Sequence, residues 1–421
     1  MKTSLCEGAP ESGAPSRVFP AGRAGAGAVA GKIHSRAVPR RVIFCSEWPL
    51  SRLVCGLLHV EGRFRRGGCA PIDRRCSVRL TSPQAVAQEE RDVALRTGRL
   101  LLLLGLLAVV VLGSVALGAK DIPLTGVWHA LTTPTGSEDD LVVRGLRVPR
   151  TALGVLAGVA LGVGGALMQG HTRNPLADPG VLGVTQGAAF AVVLSIFTLG
   201  VTSLHGYIWF AFAGALVASV VVFLLGSSRT GPTPVTLALA GAAVSALMHG
   251  LVSALVLLDR QSLDAFRFWQ VGGLAGRDLA VLWQVLPFVL VGLVLAAFNA
   301  GGLNALALGD EVARSLGRRV VPTRVVGVAA ITLLVGGAVA ACGPIGFVGL
   351  VVPHVARAMT GPDHRWLLPF SGVLGAVVLL VADVVGRVVA RPGELEVGIV
   401  MALLGAPFFI ALVRRRRLVR L

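Results

Sequence analysis

The sequence predicts an all-α protein that crosses a membrane ten times. Three observations predict it. Mean hydropathy is +0.77 and only 14% of residues are charged, against about 25% in an ordinary soluble domain. Long uncharged stretches recur along the chain at the length a bilayer demands. Arginine is concentrated in alternate connections between those stretches. A soluble enzyme, a secreted disulfide scaffold and a disordered protein are excluded by the same figures.

A membrane helix needs about 20 apolar residues, because a rise of about 1.5 Å per residue must cover about 30 Å. Residues 100–119 supply the first such run and residues 151–172 the second. Residues 179–228 contain no Lys, Arg, Asp or Glu. That stretch is too long for one helix, and a break at 200–206 makes it the third and fourth. Residues 230–258 and 279–300 are the fifth and sixth. Residues 325–356 are split by Cys342-Gly343-Pro344-Ile345-Gly346 into a seventh and a short eighth. Residues 367–389 and 397–413 complete the ten.

Ten crossings put both termini on one side. With the N-terminus in the cytoplasm, the inner connections beyond residue 100 and the C-terminal tail hold 13 basic and 4 acidic residues, whereas the outer ones hold 8 basic and 9 acidic. Lys and Arg accumulate on the cytoplasmic side of membrane proteins, so both termini are expected there. Glycines such as Gly154, Gly158, Gly162, Gly164 and Gly165 sit where small residues let helices approach closely. A weak echo joins GGALMQGHTRNPLADPGVLGV to GGAVAACGPIGFVGLVVPHVA, the kind of internal repeat many transporters carry.

Residues 1–96 hold 16 basic and 8 acidic residues and no sustained periodicity. They read as a disordered basic extension or a start called too early, with residues 97–421 as the membrane domain. No charged segment followed by an apolar core and a small-residue cleavage site marks a signal peptide. The net charge of +17 belongs to the tail and the inner connections, and does not indicate nucleic acid. Cys6, Cys45, Cys55, Cys69 and Cys76 fall in the tail, at spacings that fit no metal motif.

The chemistry of hydrolysis is missing. A phosphate-binding loop needs Gly-Lys-Ser/Thr, and the one Gly-Lys pair, Gly31-Lys32, is followed by Ile33. Ionisable groups within the spans are few. Asp383 and Arg387 are spaced to pair on one helix, either as a structural ion pair or as a transport group. Gln169 and His249 read as packed polar residues.

At RVPRTALGVLAGVALGVGGALMQGHTRNPLADPGVLGVTQGAA the chain closely resembles the FecCD-type permeases of ABC importers for iron–siderophores, haem and vitamin B12. The resemblance continues through LALAGAAVSAL, FWQVGGLAG, LNALALGDEVARSLG, GPIGFVGLVVPHVARAMTGPDHRWLLP, ADVVGR and ELEVGIVMALLGAPFFIALVRRR, over about residues 98–417. It implies a type II ABC importer permease in the plasma membrane. Two such subunits, either two copies or a copy and a paralogue, work with two separate ATPase chains and a substrate-binding lipoprotein. No cofactor is then expected on this chain. ATP and Mg belong to the ATPase, and the cargo is a ferric chelate.

The resemblance also implies roles. Arg147 and Arg150 of the RxPR motif and Arg387 of the ADxxxR motif would dock acidic residues of the binding protein, with Arg391 a weaker candidate; snorkelling to headgroups is the alternative. Leu306, Leu308, Gly309, Asp310, Glu311, Ala313, Leu316 and Gly317 would couple to the ATPase, as two short helices meeting at Gly309. Asn174 and Leu176 would gate the inner mouth. Thr233-Pro234 matches a second constriction, although Pro stands where small hydroxyl residues occur. The implied cargo is a ferric siderophore, with haem or vitamin B12 as alternatives and an ion-coupled carrier, a membrane enzyme or a receptor as competing classes.

Overall fold

The computed structural model describes residues 83–228 and 231–414. The tail reading therefore lies, up to residue 82, outside the described residues. The first helix, α1 (Pro83–Ala116), starts well before the apolar run. Pro suits a first helical turn, and the Ala, Gln, Glu and Arg that follow are good helix formers. The helix thus extends into water ahead of Leu100. Within the apolar run Leu101, Leu102, Val109 and Leu112 are exposed, as suits a face turned to lipid.

A short helix, α2 (Leu124–Thr132), follows. Its Val127 and Ala130 pack in one buried cluster with Ile122, just before it, and with Val143. The next helix begins as α3 (Glu138–Asp140), where the Ser137 hydroxyl accepts the Asp140 amide and the Asp140 carboxylate accepts the Ser137 amide. This reciprocal cap satisfies donors that a helix start leaves open. The chain then passes through one wider, π-helical stretch, Leu141–Arg147, into α4 (Val148–Thr172).

The remaining helices are α5 (Val184–Leu199), α6 (Leu204–Gly226), α7 (Pro234–Leu258), α8 (Arg260–Val271), α9 (Leu279–Leu306), α10 (Asp310–Ser315), α11 (Val320–Cys342), α12 (Val348–Thr360), α13 (His364–Val389) and α14 (Val397–Arg414). Among the described residues, seven helical stretches are long and apolar enough to cross a membrane, and three shorter apolar helices are Val184–Leu199, Val348–Thr360 and Val397–Leu412. Together they occupy the ten expected positions. Gly200, at φ +64°, ends α5 at the predicted break. The strand content among the described residues is one two-residue pairing, Ser227–Ser228 with Gly231–Pro232.

The core is built around α4, which packs on α13, α11, α12 and α9. Its glycines explain why. A methyl group added at Gly158 would lie 2.5 Å from the Ala376 Cα, one at Gly162 would strike the Ser371 carbonyl, and one at Gly165 would strike the Gly349 backbone. Small residues thus let main chain meet main chain, which lipid-embedded helices use in place of a hydrophobic driving force. The two halves of the sequence echo, α4–α5 and α11–α12, are each a long buried helix, a break and a shorter helix.

Candidate coupling segment and outer arginine cluster

Helix α9 continues unbroken to Leu306, through Gly301, Gly302 and Asn304. One long helix therefore meets a short one, where two short helices were expected. Ala307 to Gly309 make the turn. Gly309 stands at φ +106°, and Gly317 beyond α10 at +76°, conformations that residues with a side chain adopt only at a cost. The Gly309 carbonyl accepts the Ala313 amide at 2.9 Å. Leu306, Ala313 and Val320 close a small buried cluster, so Leu306 and Ala313 brace the corner and do not face outward. Leu308, Val312 and Leu316 are exposed and recur at i, i+4 and i+8. They form an apolar stripe on the outside of the corner, with Glu311 also exposed. Val312 was not singled out from the sequence, though its spacing was the available signal.

Asp310 does more than begin a helix. Its Oδ1 accepts Arg173 Nη2 at 2.5 Å and its Oδ2 accepts Arg324 Nη2 at 2.7 Å. Arg173 is the C-cap of α4, at φ +51°. Asn174 follows, exposed, and its Oδ1 accepts the Leu176 amide at 3.0 Å, fixing a local turn. Leu176 is half-buried. Nearby, Asn304 donates to Asp363 at 2.6 Å and accepts the His364 amide at 2.9 Å, joining α9 to α13. Thr233 caps α7, its hydroxyl accepting the Thr236 amide at 3.2 Å.

The outer arginines come together, but they turn inward. Arg147, Arg150 and Arg387 are 4%, 7% and 2% exposed. Arg147 donates to the carbonyls of Val115, Ala116 and Lys120. Arg387 donates to those of Ser114 and Leu117 at 3.0 and 2.9 Å. Arg391 donates to Gly118 at 2.6 Å. The carbonyls of Ser114, Val115 and Ala116 are ones that the end of α1 leaves without helical partners, those of Leu117, Gly118 and Lys120 lie just beyond it, and cations suit a helix C-terminus. Asp383 is wholly buried between Arg150 Nη2 at 2.8 Å and Arg387 Nη2 at 2.9 Å. Arg150 also reaches Glu394 at 2.5 Å. The Asp383–Arg387 pair is present as spaced, and Arg150, 233 positions away in sequence, joins it. Lys120, Arg147, Arg150, Arg277, Arg387 and Glu394 line a cavity of about 280 Å³.

Gln169 is packed, donating to the Leu350 carbonyl at 3.2 Å and accepting from Arg357 at 3.2 Å. His249, expected to be packed, is exposed, because it lies on a face of α7 that the rest of the chain leaves open, along with Leu239, Leu247 and Leu251.

Over residues 106–415 the chain matches the FecCD transport family. It is 47% identical over 315 residues to the ferric enterobactin transport system permease protein of Escherichia coli (strain K12), covering 75% of this chain and 94% of that one. It is 40% identical over 321 residues to the hemin transport system permease protein of Yersinia pestis, covering 75% and 95%. A solved chain of a metal-chelate type ABC transporter in an inward-facing conformation superposes with a TM-score of 0.66 and 30% identity, over 76% of this chain and 99% of that chain.

Proposed function

This chain belongs to the FecCD transport family and is the permease subunit of an ABC importer; we propose that its cargo is a ferric siderophore complex. The similarity to a ferric enterobactin permease, at 47% identity, supports that cargo over haem, where the relative is 40% identical. The observation that carries the mechanism is the corner at Gly309. An exposed apolar stripe, Leu308, Val312 and Leu316, is held rigid by a buried cluster beneath it. Such a stripe fits a groove on a separate ATPase chain, which holds ATP and Mg.

Two ATPase chains would act on paired permeases, the second being a copy or a paralogue. The open apolar faces of α7 and α14, where Leu403, Leu404 and Ile410 are also exposed, suit such a neighbour. Both termini would lie in the cytoplasm, on the arginine-rich side of a plasma membrane. On the outer side, a carboxylate of a substrate-binding lipoprotein would enter the cationic cavity lined by Arg147, Arg150 and Arg387. Charge complementarity there would favour docking speed and register. At the inner mouth, Asn174 and Leu176 would open and close as nucleotide drives the cycle. A ligand shifts such states only through its differential affinity for them.

The test is reconstitution with the ATPase chains and the binding protein, followed by uptake of radioactive iron presented as different chelates. Uptake should require ATP and fall, together with ATPase stimulation, when Gly309→Val distorts the corner. Accumulation driven by an ion gradient with this chain alone would overturn the reading.

A further inference from the structure

Resting on the assignment of α10 to coupling and of Asn174–Leu176 to the inner mouth, we infer that Asp310 is the positioning residue that ties the first to the second through Arg173. A carboxylate has two oxygens, and here each serves an arginine from a different helix. Arg324, from α11, is 5% exposed and holds Oδ2 at 2.7 Å. That arm keeps α10 seated on the bundle. Arg173 holds Oδ1 and sits one residue before Asn174.

The path from α10 to the mouth is therefore short and physically continuous. It runs from the Asp310 carboxylate to the Arg173 guanidinium, along one peptide to Asn174, and through the Asn174 turn to Leu176. The elements on either side of this path are unequal in stiffness. Helix α4 is fixed along its glycine face, where Gly158 and Gly162 meet the backbone of α13. What remains free to respond at its inner end is the segment from Arg173 onward. Arg173 is held in the left-handed region at φ +51°, which a side chain disfavours, so its backbone has a lower-energy alternative when the tie is released.

The pair is also built to open. Arg173 and Asp310 side chains are 33% and 24% exposed, so water can replace either partner. The Arg150–Asp383 pair, at 9% and 0%, has no such access. One arm of Asp310 is thus a permanent brace, and the other is a releasable latch.

The experiment uses the full complex, with ATPase chains and binding protein, in inside-out vesicles. The chain carries Leu176→Cys and serine in place of Cys6, Cys45, Cys55, Cys69 and Cys76, with Cys342 left buried. A membrane-impermeant thiol reagent reads exposure of position 176 with and without a non-hydrolysable ATP analogue. Without further change, nucleotide should alter the labelling rate. Arg173→Gln should remove that response and lower uptake by about tenfold, the scale of a coupling between two sites, while ATP hydrolysis continues. Arg173→Lys, which keeps a charge on Oδ1, should restore most of the response. Arg324→Gln should reduce the yield of assembled complex and leave the labelling response per complex intact. If Arg173→Gln responds to nucleotide as its parent does, the latch is overturned and the coupling assignment stands. If the parent itself shows no response to nucleotide, the coupling assignment falls and the latch with it.

Discussion

Asp383 separates two accounts of this protein, because a carrier driven by ions would need it as a coupling carboxylate. The perturbation is Asp383→Asn, nearly isosteric and neutral. In the parent, Asp383 is wholly buried and two guanidinium groups lie 2.8 and 2.9 Å from it. Deleting one partner of a buried pair costs about 3–5 kcal/mol, since an uncompensated charge stays behind. Doubling that for two pairs would overshoot. Arg150 retains Glu394, and Arg387 retains the Ser114 and Leu117 carbonyls; the Asn carboxamide also keeps one acceptor oxygen. The expected loss is therefore about 3–4 kcal/mol, near the low end of that range. Equilibrium unfolding in mixed micelles measures it, alongside uptake per folded transporter. As a structural lock, Asp383→Asn lowers stability, and the molecules that remain folded still import. Stability within about 1 kcal/mol of the parent, combined with abolished uptake by folded molecules, would refute the lock and restore the carrier.

Three further outcomes follow from the same geometry. Gly158→Ala should destabilise by about 1–3 kcal/mol through overpacking, whereas Gly105→Ala, with nothing within 4 Å, should not; equal unfolding midpoints would disprove the close approach of α4 and α13. Val312→Ser, on the exposed stripe, should leave the isolated chain as stable as before and weaken ATPase association by about 1–2 kcal/mol, which a titration of the ATPase chain would measure. Burial holds Glu396 above its ordinary value of 4.5, against the pull of Arg150 and Arg277. A raised carboxyl favours folding below its unfolded value, and that benefit is lost as pH rises through the folded one. Glu396→Gln should accordingly be more stable than the parent at about pH 7 and equal to it near pH 4; the same gap at both would sink the assignment.

The helices were legible because lipid imposes a length and forbids charge. That rule finds the break at Gly200 and the split at Gly343 without any knowledge of packing. It is silent on α2 and α8, which lie outside the uncharged runs and are too short to cross. In α8 only Ser262, Phe266 and Trp269 are buried, while Leu263 and Phe268 are exposed. The Gly309 corner was legible because a glycine can end one helix and two acidic residues suit the start of the next, while its coupling role came from the family resemblance. Its ties were not. Arg173 and Arg324 reach Asp310 from 137 and 14 positions away, and no local pattern announces such a meeting. Burial of Arg147, Arg150 and Arg387 was hidden for a related reason. An arginine beside a helix end in sequence says nothing about which other helix end it will fill.

The closure of α1 carries a consequence for biosynthesis. Carbonyls at and just beyond its end are satisfied by Arg147, Arg387 and Arg391, so the first span is finished in part by residues translated long after it. Until then headgroups and water must solvate that end of the nascent chain. A polypeptide interrupted before residue 387 would enter the bilayer with its first helix still unlatched, offering quality-control proteases a recognisable unfinished product.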